Sequence, residues 1–404
     1  MSDDPFISSA QDAPASSGTA VFLADASEVA ALDTMLKRLG VADATIVSGG
    51  GAAALSWCRK HRAGILIVDL DGALAPLTMI EELASYCEPT CRLIALGGRD
   101  DINFYRALLR GGVLDYLQKP VRLDLLSAAL ERARTGVSAD AARIGRSVAV
   151  AGCAGGQGTS SVAAALALLL STERHIPVAV VDFDRRRSDQ GLLLGATPET
   201  GLEAILGNRA IDPYLLERAM IAVNPRLRLL AQAPTWAPLE VDSEHLLQVG
   251  AGLCQVLNLV IWDLPAGCPP GVLEVLRHAE LRILLTDLTL QNARTMRRLL
   301  EQVGDESDGQ QILLVHNPSH GPVGSIPKAQ YEDYVGRRID LALPHGGNAL
   351  RDSLLQGPLD LARCPALRQG LLDLADLACG RKPERSGGRG LRALLKQAIG
   401  RPAA

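Results

Sequence analysis

No apolar run in these 404 residues is long enough to cross a bilayer. The longest, near Ala163 to Leu170, falls far short of the ~20 residues a spanning helix needs. The N-terminus, MSDDPFISSAQDAPASSGTA, opens on acids and lacks an apolar core, which excludes a secretion signal and reads as a disordered lead. Positive charge is also not in excess. With 41 Lys and Arg against 45 Asp and Glu, the net charge of −4 excludes a whole-protein basic field for nucleic acid and leaves only local patches. Metal-ligand spacing is missing among the eight cysteines, whose nearest pair is Cys87 and Cys91. His316 and His320 flank an expected loop, and two histidines alone read as solvated rather than as ligands. Scattered cysteines without a signal suit a reducing cytoplasm, so a soluble protein is expected.

Apolar residues, by contrast, are plentiful: 48% is ample for packed cores, and the length allows two ordinary domains with some linker. From Val21 on, strand candidates (Val21 to Ala24, Ala44 to Val47, Ile65 to Asp69, Leu93 to Leu96, Asp115 to Leu117) alternate with helical patterns such as Glu28 to Leu39 and Leu123 to Arg134. This alternation predicts an α/β fold with a parallel, doubly wound sheet, whose ligands sit beyond the carboxyl ends of the strands. A polar stretch, TGVSADAARIGR, precedes a second series: Ser147 to Ala151, a glycine loop, a long apolar helix, then PVAVVDFD, LNLVIWDLP, LRILLTD and QILLVHN. Near-continuous apolar strands are expected where helices cover both faces. The expected organisation is a disordered lead at 1–18, a first α/β domain at 19–135, a linker at 136–146, a second α/β domain at 147–380 and a tail at 381–404.

The tail changes composition. It holds Arg381, Lys382, Arg385, Arg389, Arg392, Lys396 and Arg401 against Glu384, and places Leu391, Leu394, Leu395, Ala398 and Ile399 at helical spacing on one side. A basic amphipathic helix on a Gly/Pro-rich tether suits an anionic membrane surface. A last helix docked on its own domain, or a frayed end, is the alternative.

Asp25, Asp69 and the segment GVLDYLQKP, in that order, resemble the receiver domains of two-component response regulators over nearly all of residues 19–135. The resemblance makes Asp69 the phosphoacceptor position and Lys119 the lysine that pairs with the phosphate. Such chemistry needs two acids for magnesium, a nucleophilic acid, a lysine and a hydroxyl. Here the first-strand acid pair is Asp25 and Ala26, and the hydroxyl position is Gly97. One magnesium ligand and the switch hydroxyl are gone, so this half is read as a protein-docking domain in which Asp69 and Lys119 serve structure. Acylation of Asp69 is the alternative.

The segment AGGQGTS resembles the deviant P-loop of the ParA/MinD family, Lys-Gly-Gly-x-Gly-Lys-[Ser/Thr]. Ala154 replaces the signature lysine and Thr159 the phosphate lysine, while Gly155, Gly156, Gln157, Gly158, Ser160 and Ser161 complete the loop and the start of its helix. The resemblance implies ATP and magnesium as ligands, with magnesium near Ser160, Asp184 and Asp263. Asp182 and Asp184 stand at the acid pair whose second member orients the attacking water. Asp263 stands at the Walker B acid, and Asn317 at the asparagine that reads adenine, followed by Pro318 where the family commonly has arginine. Backbone N–H groups at a helix N-terminus still favour an anion. Phosphoryl transfer rests on positioning and charge, so loss of both lysines argues against hydrolysis and leaves a choice between weak binding and a relic loop that only packs.

An atypical receiver fused to a ParA/MinD-like domain resembles the TadZ/CpaE proteins of the Tad (Flp) pilus apparatus, over roughly residues 19–380. Members often carry threonine where Thr159 stands, whereas Ala154 departs further. The resemblance implies a cytoplasmic homodimer that marks the assembly site, usually a cell pole at the inner membrane, and recruits the secretion ATPase and membrane platform or polar landmark proteins. The runner-up readings are a ParA-type DNA-partition ATPase and a response regulator. Arg185 to Arg187, the compact basic run, is flanked by Asp182, Asp184 and Asp189 and reads as a solvated loop rather than a DNA patch.

Overall fold

The computed structural model describes residues 18–135, 143–208, 211–237, 242–306, 309–318 and 325–381. The lead through residue 17, linker residues 136–142, His320 and the amphipathic part of the tail lie outside the described residues.

Strands β1 (Thr19–Leu23), β2 (Thr45–Ser48), β3 (Ile65–Asp69), β4 (Arg92–Gly97) and β5 (Val113–Gln118) form a parallel sheet in the order β2-β1-β3-β4-β5. This is the flavodoxin-like doubly wound order, with its switch point between β1 and β3. Side chains alternate across the sheet as the strand period requires. Val21, Leu23, Ile67 and Ile94 pack with Leu32, Leu36, Leu126 and Leu130 of the helices on one face. Phe22, Leu66, Val68 and Leu93 pack with Ala54, Ile80, Leu83 and Leu108 on the other. Both layers are buried, which is why these strands read as unbroken apolar runs.

The second sheet has eight strands: β6 (Arg146–Gly152), β7 (Val178–Asp182), β8 (Ile221–Asn224), β9 (Leu227–Leu230), β10 (Leu259–Leu264), β11 (Leu281–Thr286), β12 (Gln311–His316) and β13 (Leu341–Ala342). Their order is β13-β12-β11-β6-β10-β7-β9-β8. The edge pair β8–β9 is an antiparallel hairpin that the apolar pattern does not announce. Its turn is made by Asn224, whose side-chain oxygen accepts from the backbone N–H groups of Arg226 (2.8 Å) and Leu227 (2.9 Å).

The chain divides into two compact units. One takes the described chain to Ser147 with Leu170–Ser188 and Pro198–Trp262; the other takes Val148–Leu169, Asp189–Thr197 and the described chain from Asp263 on.

Candidate functional site

In the second of these units, β6 ends at Gly152 and the chain turns through the glycine loop into the helix Thr159–Thr172. Gly156 (φ 78°) and Gly158 (φ 77°) adopt left-handed backbone, which glycine takes without steric cost. Around Gly155 the loop is open, with no heavy atom within 4 Å of an added Cβ. The Thr159 hydroxyl lies back against the end of β6, 2.7 Å from where a Cβ on Gly152 would stand. From Ser147 to Glu173 the chain carries no lysine or arginine.

Four sequence-predicted residues, Gln157, Ser160, Asp263 and Asn317, are joined at this loop, two of them (Ser160 and Asp263) through Gln190, which carries no sequence signature. Asn317 Nδ2 donates to the Gln157 carbonyl (2.8 Å) and stands 2.7 Å from where a Cβ on Gly158 would be. Gln190 Nε2 donates to the Ser160 carbonyl (2.9 Å) and to Asp263 Oδ2 (2.8 Å) in the interior. Gln190 therefore ties the start of the loop helix to the Walker B-like acid. Gln157 is buried, and its Oε1 has no hydrogen-bond partner. Asp182 and Asp184 belong to the first unit, where Asp182 is buried at the end of β7 and the Asp184 carbonyl accepts from Arg187 and Ser188 N–H.

Beside the loop lies a cavity of about 510 Å³, walled by leucines such as Leu350, Leu354 and Leu371 and edged by Ser161, Asn317 and His345. That volume is in the range of small-molecule pockets. An anion in the loop would meet backbone N–H groups and the positive end of the helix. The residues present thus fit a phosphate group held by backbone. The loop and its helix, without lysine or arginine from Ser147 to Glu173, do not themselves supply the counter-charge that a transferring phosphoryl group needs; among the described residues lining the cavity the arginine is Arg351.

The receiver-like acids form a second cluster, in the first unit. Asp69, closing β3, is fully buried. Its Oδ2 accepts from Ala24 N–H (2.8 Å) and Lys119 Nζ (2.5 Å), and its Oδ1 from Asp71 N–H (3.0 Å). Lys119 also reaches Glu28 (2.7 Å) and Asp71 (3.3 Å). Burial works against the Lys119 charge, but hydrogen bonds to Asp69 and Glu28 outweigh it and hold the ammonium above the usual lysine range. Asp25 does not join this cluster through a hydrogen bond to Lys119. Its carboxylate caps the short turn Ala26–Glu28 by accepting from Ser27 N–H (2.8 Å), and that bond holds its pKa below the usual value. Glu28 and Asp71 bring the additional carboxylates, and neither was singled out by the sequence.

Gly97 has a steric reason. A Cβ there would stand 2.9 Å from the Tyr116 hydroxyl and 3.2 Å from Asp71 Oδ1. The Tyr116 hydroxyl donates to the Arg99 carbonyl (2.9 Å) and accepts from Arg99 N–H (3.0 Å), so it occupies the space a switch hydroxyl would need. Gly97→Thr should destabilise the chain by about 1–3 kcal/mol through this overpacking. Urea unfolding checks it: Tyr116→Phe should recover part of the loss, and an undiminished midpoint in Gly97→Thr alone would refute the crowding.

Among the described residues, no group of three or more His, Cys, Asp or Glu is arranged to hold a metal ion, and no helix is long and apolar enough to cross a membrane.

No family model matches the chain. It is 32% identical over 93 residues to the tetrathionate response regulatory protein TtrR of Salmonella typhimurium; the match takes in 23% of this chain and spans 45% of that relative's length. Among solved structures, a ParA family ATPase from Chlorobium tepidum is similar over 58% of this chain and 98% of its own, at 24% identity and a TM-score of 0.48. The pilus assembly protein CpaE from Caulobacter crescentus is similar over 28% of this chain and 96% of its own, at 27% identity and a TM-score of 0.26. The fold itself is an α/β architecture of two doubly wound sheets, one flavodoxin-like and one P-loop NTPase-like with its glycine loop after β6.

Proposed function

We propose that this chain is a pilus assembly factor of the Tad type: a homodimer that marks the assembly site and recruits the secretion machinery, without a nucleotide hydrolysis cycle. The observation that carries this reading is the glycine loop. Its left-handed glycines and helix start are intact, while Thr159 lies against Gly152 and no lysine or arginine stands from Ser147 to Glu173. ATP, where bound, would be held by the backbone of Gly155 to Ser161, with its base toward the leucine-walled cavity and magnesium near Ser160 and Asp263. Bound nucleotide would supply charge for joining two copies. Turnover is not asked of it.

In this proposal residues 19–135 are a docking domain and residues 147–380 the dimerising domain. The partners are the Tad secretion ATPase and its inner-membrane platform or a polar landmark protein. The protein works in the cytoplasm against the inner membrane at a cell pole, and residues 381–404 add attraction to anionic lipid. The buried Asp69, held by three donors, speaks against a phosphate-switched response regulator. Gene deletion in the source organism should abolish surface pili, and complementation with Asp69→Asn should restore them. Unchanged piliation after deletion would remove the proposal.

A further inference from the structure

The cavity beside the glycine loop lies wholly in the second unit, and its walls suit an alkyl chain better than a nucleobase. Val162 and Ala165 come from the loop helix, Leu350 and Leu354 from the helix Gly347–Gln356, and Leu367 and Leu371 from the helix Pro365–Ala378. Among the described residues that line it there is no Phe, Tyr or Trp. A base buried among these side chains would have no large ring to stack on. Each ring nitrogen or exocyclic group left without a partner there would weaken binding about ten- to hundredfold. An alkyl chain carries no such groups. The volume of about 510 Å³ has room for a chain of about ten to twelve carbons, since a methylene has about the bulk of one water at ~30 Å³.

Charge at the cavity has one sign. The described lining holds no Asp or Glu, while His345 and Arg351 both edge it and are exposed. Arg351 Nε lies 3.7 Å from Asp352 Oδ1, an exposed pair that holds the guanidinium only weakly. Gly158 and Ser161, from the loop and the start of its helix, line the same space. A phosphate cradled by the loop backbone would therefore sit at the cavity itself, with the positive end of the helix toward it.

We propose that this cavity binds a single-chain lipid ending in a phosphate monoester, its alkyl chain among the leucines and its head at Gly158 to Ser161 beside Arg351. The inference rests on the reading of the glycine loop as a backbone phosphate cradle and adds the class of ligand. A bound monoester is a resting anion, so backbone donors and one arginine serve it without the lysines that phosphoryl transfer needs. Nucleotide and lipid use one cradle, and each excludes the other.

Calorimetry on the full chain with monododecyl phosphate, kept below its micelle concentration, should show one site per chain. Shortening the chain from dodecyl to decyl to octyl should weaken binding about tenfold at each step, as the loss of two buried methylenes requires. Inorganic phosphate, the head alone, should bind at least about a hundredfold more weakly than the dodecyl ester. Dodecyl maltoside, the same chain without charge, should bind at least about tenfold more weakly. Arg351→Ala should weaken the dodecyl ester about fivefold and leave the maltoside unchanged. Leu354→Trp, which fills the cavity, should weaken both; where it fails to fold, Arg351→Ala, at an exposed side chain, still decides. Equal affinity for the maltoside, or many molecules per chain, would mean adsorbed detergent and overturn the proposal. Binding of ATP without binding of the dodecyl ester would overturn it and leave the cradle reading standing. Binding of neither, nor of inorganic phosphate, would remove both.

Discussion

Incubated with Mg-ATP, the purified chain should release phosphate no faster than buffer alone. The transferring phosphoryl group gathers charge on its oxygens, and one supplied cation is worth on the order of 10³–10⁵ in rate in related chemistry. Here neither loop lysine exists, and the Thr159 hydroxyl lies toward Gly152. Backbone N–H groups and the helix end remain, so binding is reduced more gently than turnover. Thr159→Lys adds one charge-assisted contact of about 1.5–3 kcal/mol, which should tighten nucleotide binding about 10–100-fold. Hydrolysis should still be absent in that variant, because Ala154 remains. Calorimetry and phosphate release over hours read the two quantities separately. Sustained turnover by the unmodified chain, abolished by Asp184→Ala, would mean that the loop does chemistry by a route other than lysine. Light scattering on the same samples should show a dimer; a monomer under all conditions would leave the preserved loop without an interface to shape.

Much of the fold was legible because burial on both faces writes itself as apolar runs. Ile65 to Asp69 is predicted and observed as β3 with the same ends, and the helix expected at Leu123 to Arg134 is Leu123–Thr135. The edge hairpin was not legible. β8 and β9 are four residues each, only one of the pair is largely buried, and the turn depends on one asparagine side chain. At the loop, the glycines could be read because positive φ restricts the residue type. The Asn317–Gln157 and Gln190–Asp263 bonds could not, since they join residues 160 and 73 positions apart and no local pattern encodes them. The Asp69 cluster shows the same limit. Ala26 reads as a lost acid, yet the short turn Ala26–Glu28 brings Glu28 to Lys119 instead. Gly97 reads as a lost hydroxyl, yet Tyr116, nineteen residues on in chain order, puts its own hydroxyl there.

Lys119→Met should cost the chain about 3 kcal/mol, and the loss should shrink once the pH passes the ordinary lysine value of about 10.4. Removing one member of a buried ion pair strands the other, typically at about 3–5 kcal/mol. Asp69 is fully buried and the Lys119 side chain 13% exposed, so little water is present to replace the ammonium. The lower end of the range applies because Asp69 keeps two backbone donors, Ala24 and Asp71. Asp69→Asn is the milder change, at about 1 kcal/mol, since Lys119 retains Glu28 and Asp71, which are partly in water. The sign of the pH effect follows from the raised Lys119 pKa. A group whose folded value lies above its unfolded one stabilises fully below the unfolded value, about 10.4 for lysine, and loses that contribution as pH rises through the folded value. Urea midpoints of the transition reported by Trp57, which packs against Phe22, give the measurement. The gap between the unmodified chain and Lys119→Met should stay level from about pH 6 to pH 10 and narrow above about pH 10.5. A gap that never opened would mean the buried Asp69 is held by its backbone donors alone. The lysine would then be free for the phosphate chemistry that the rest of this cluster has given up.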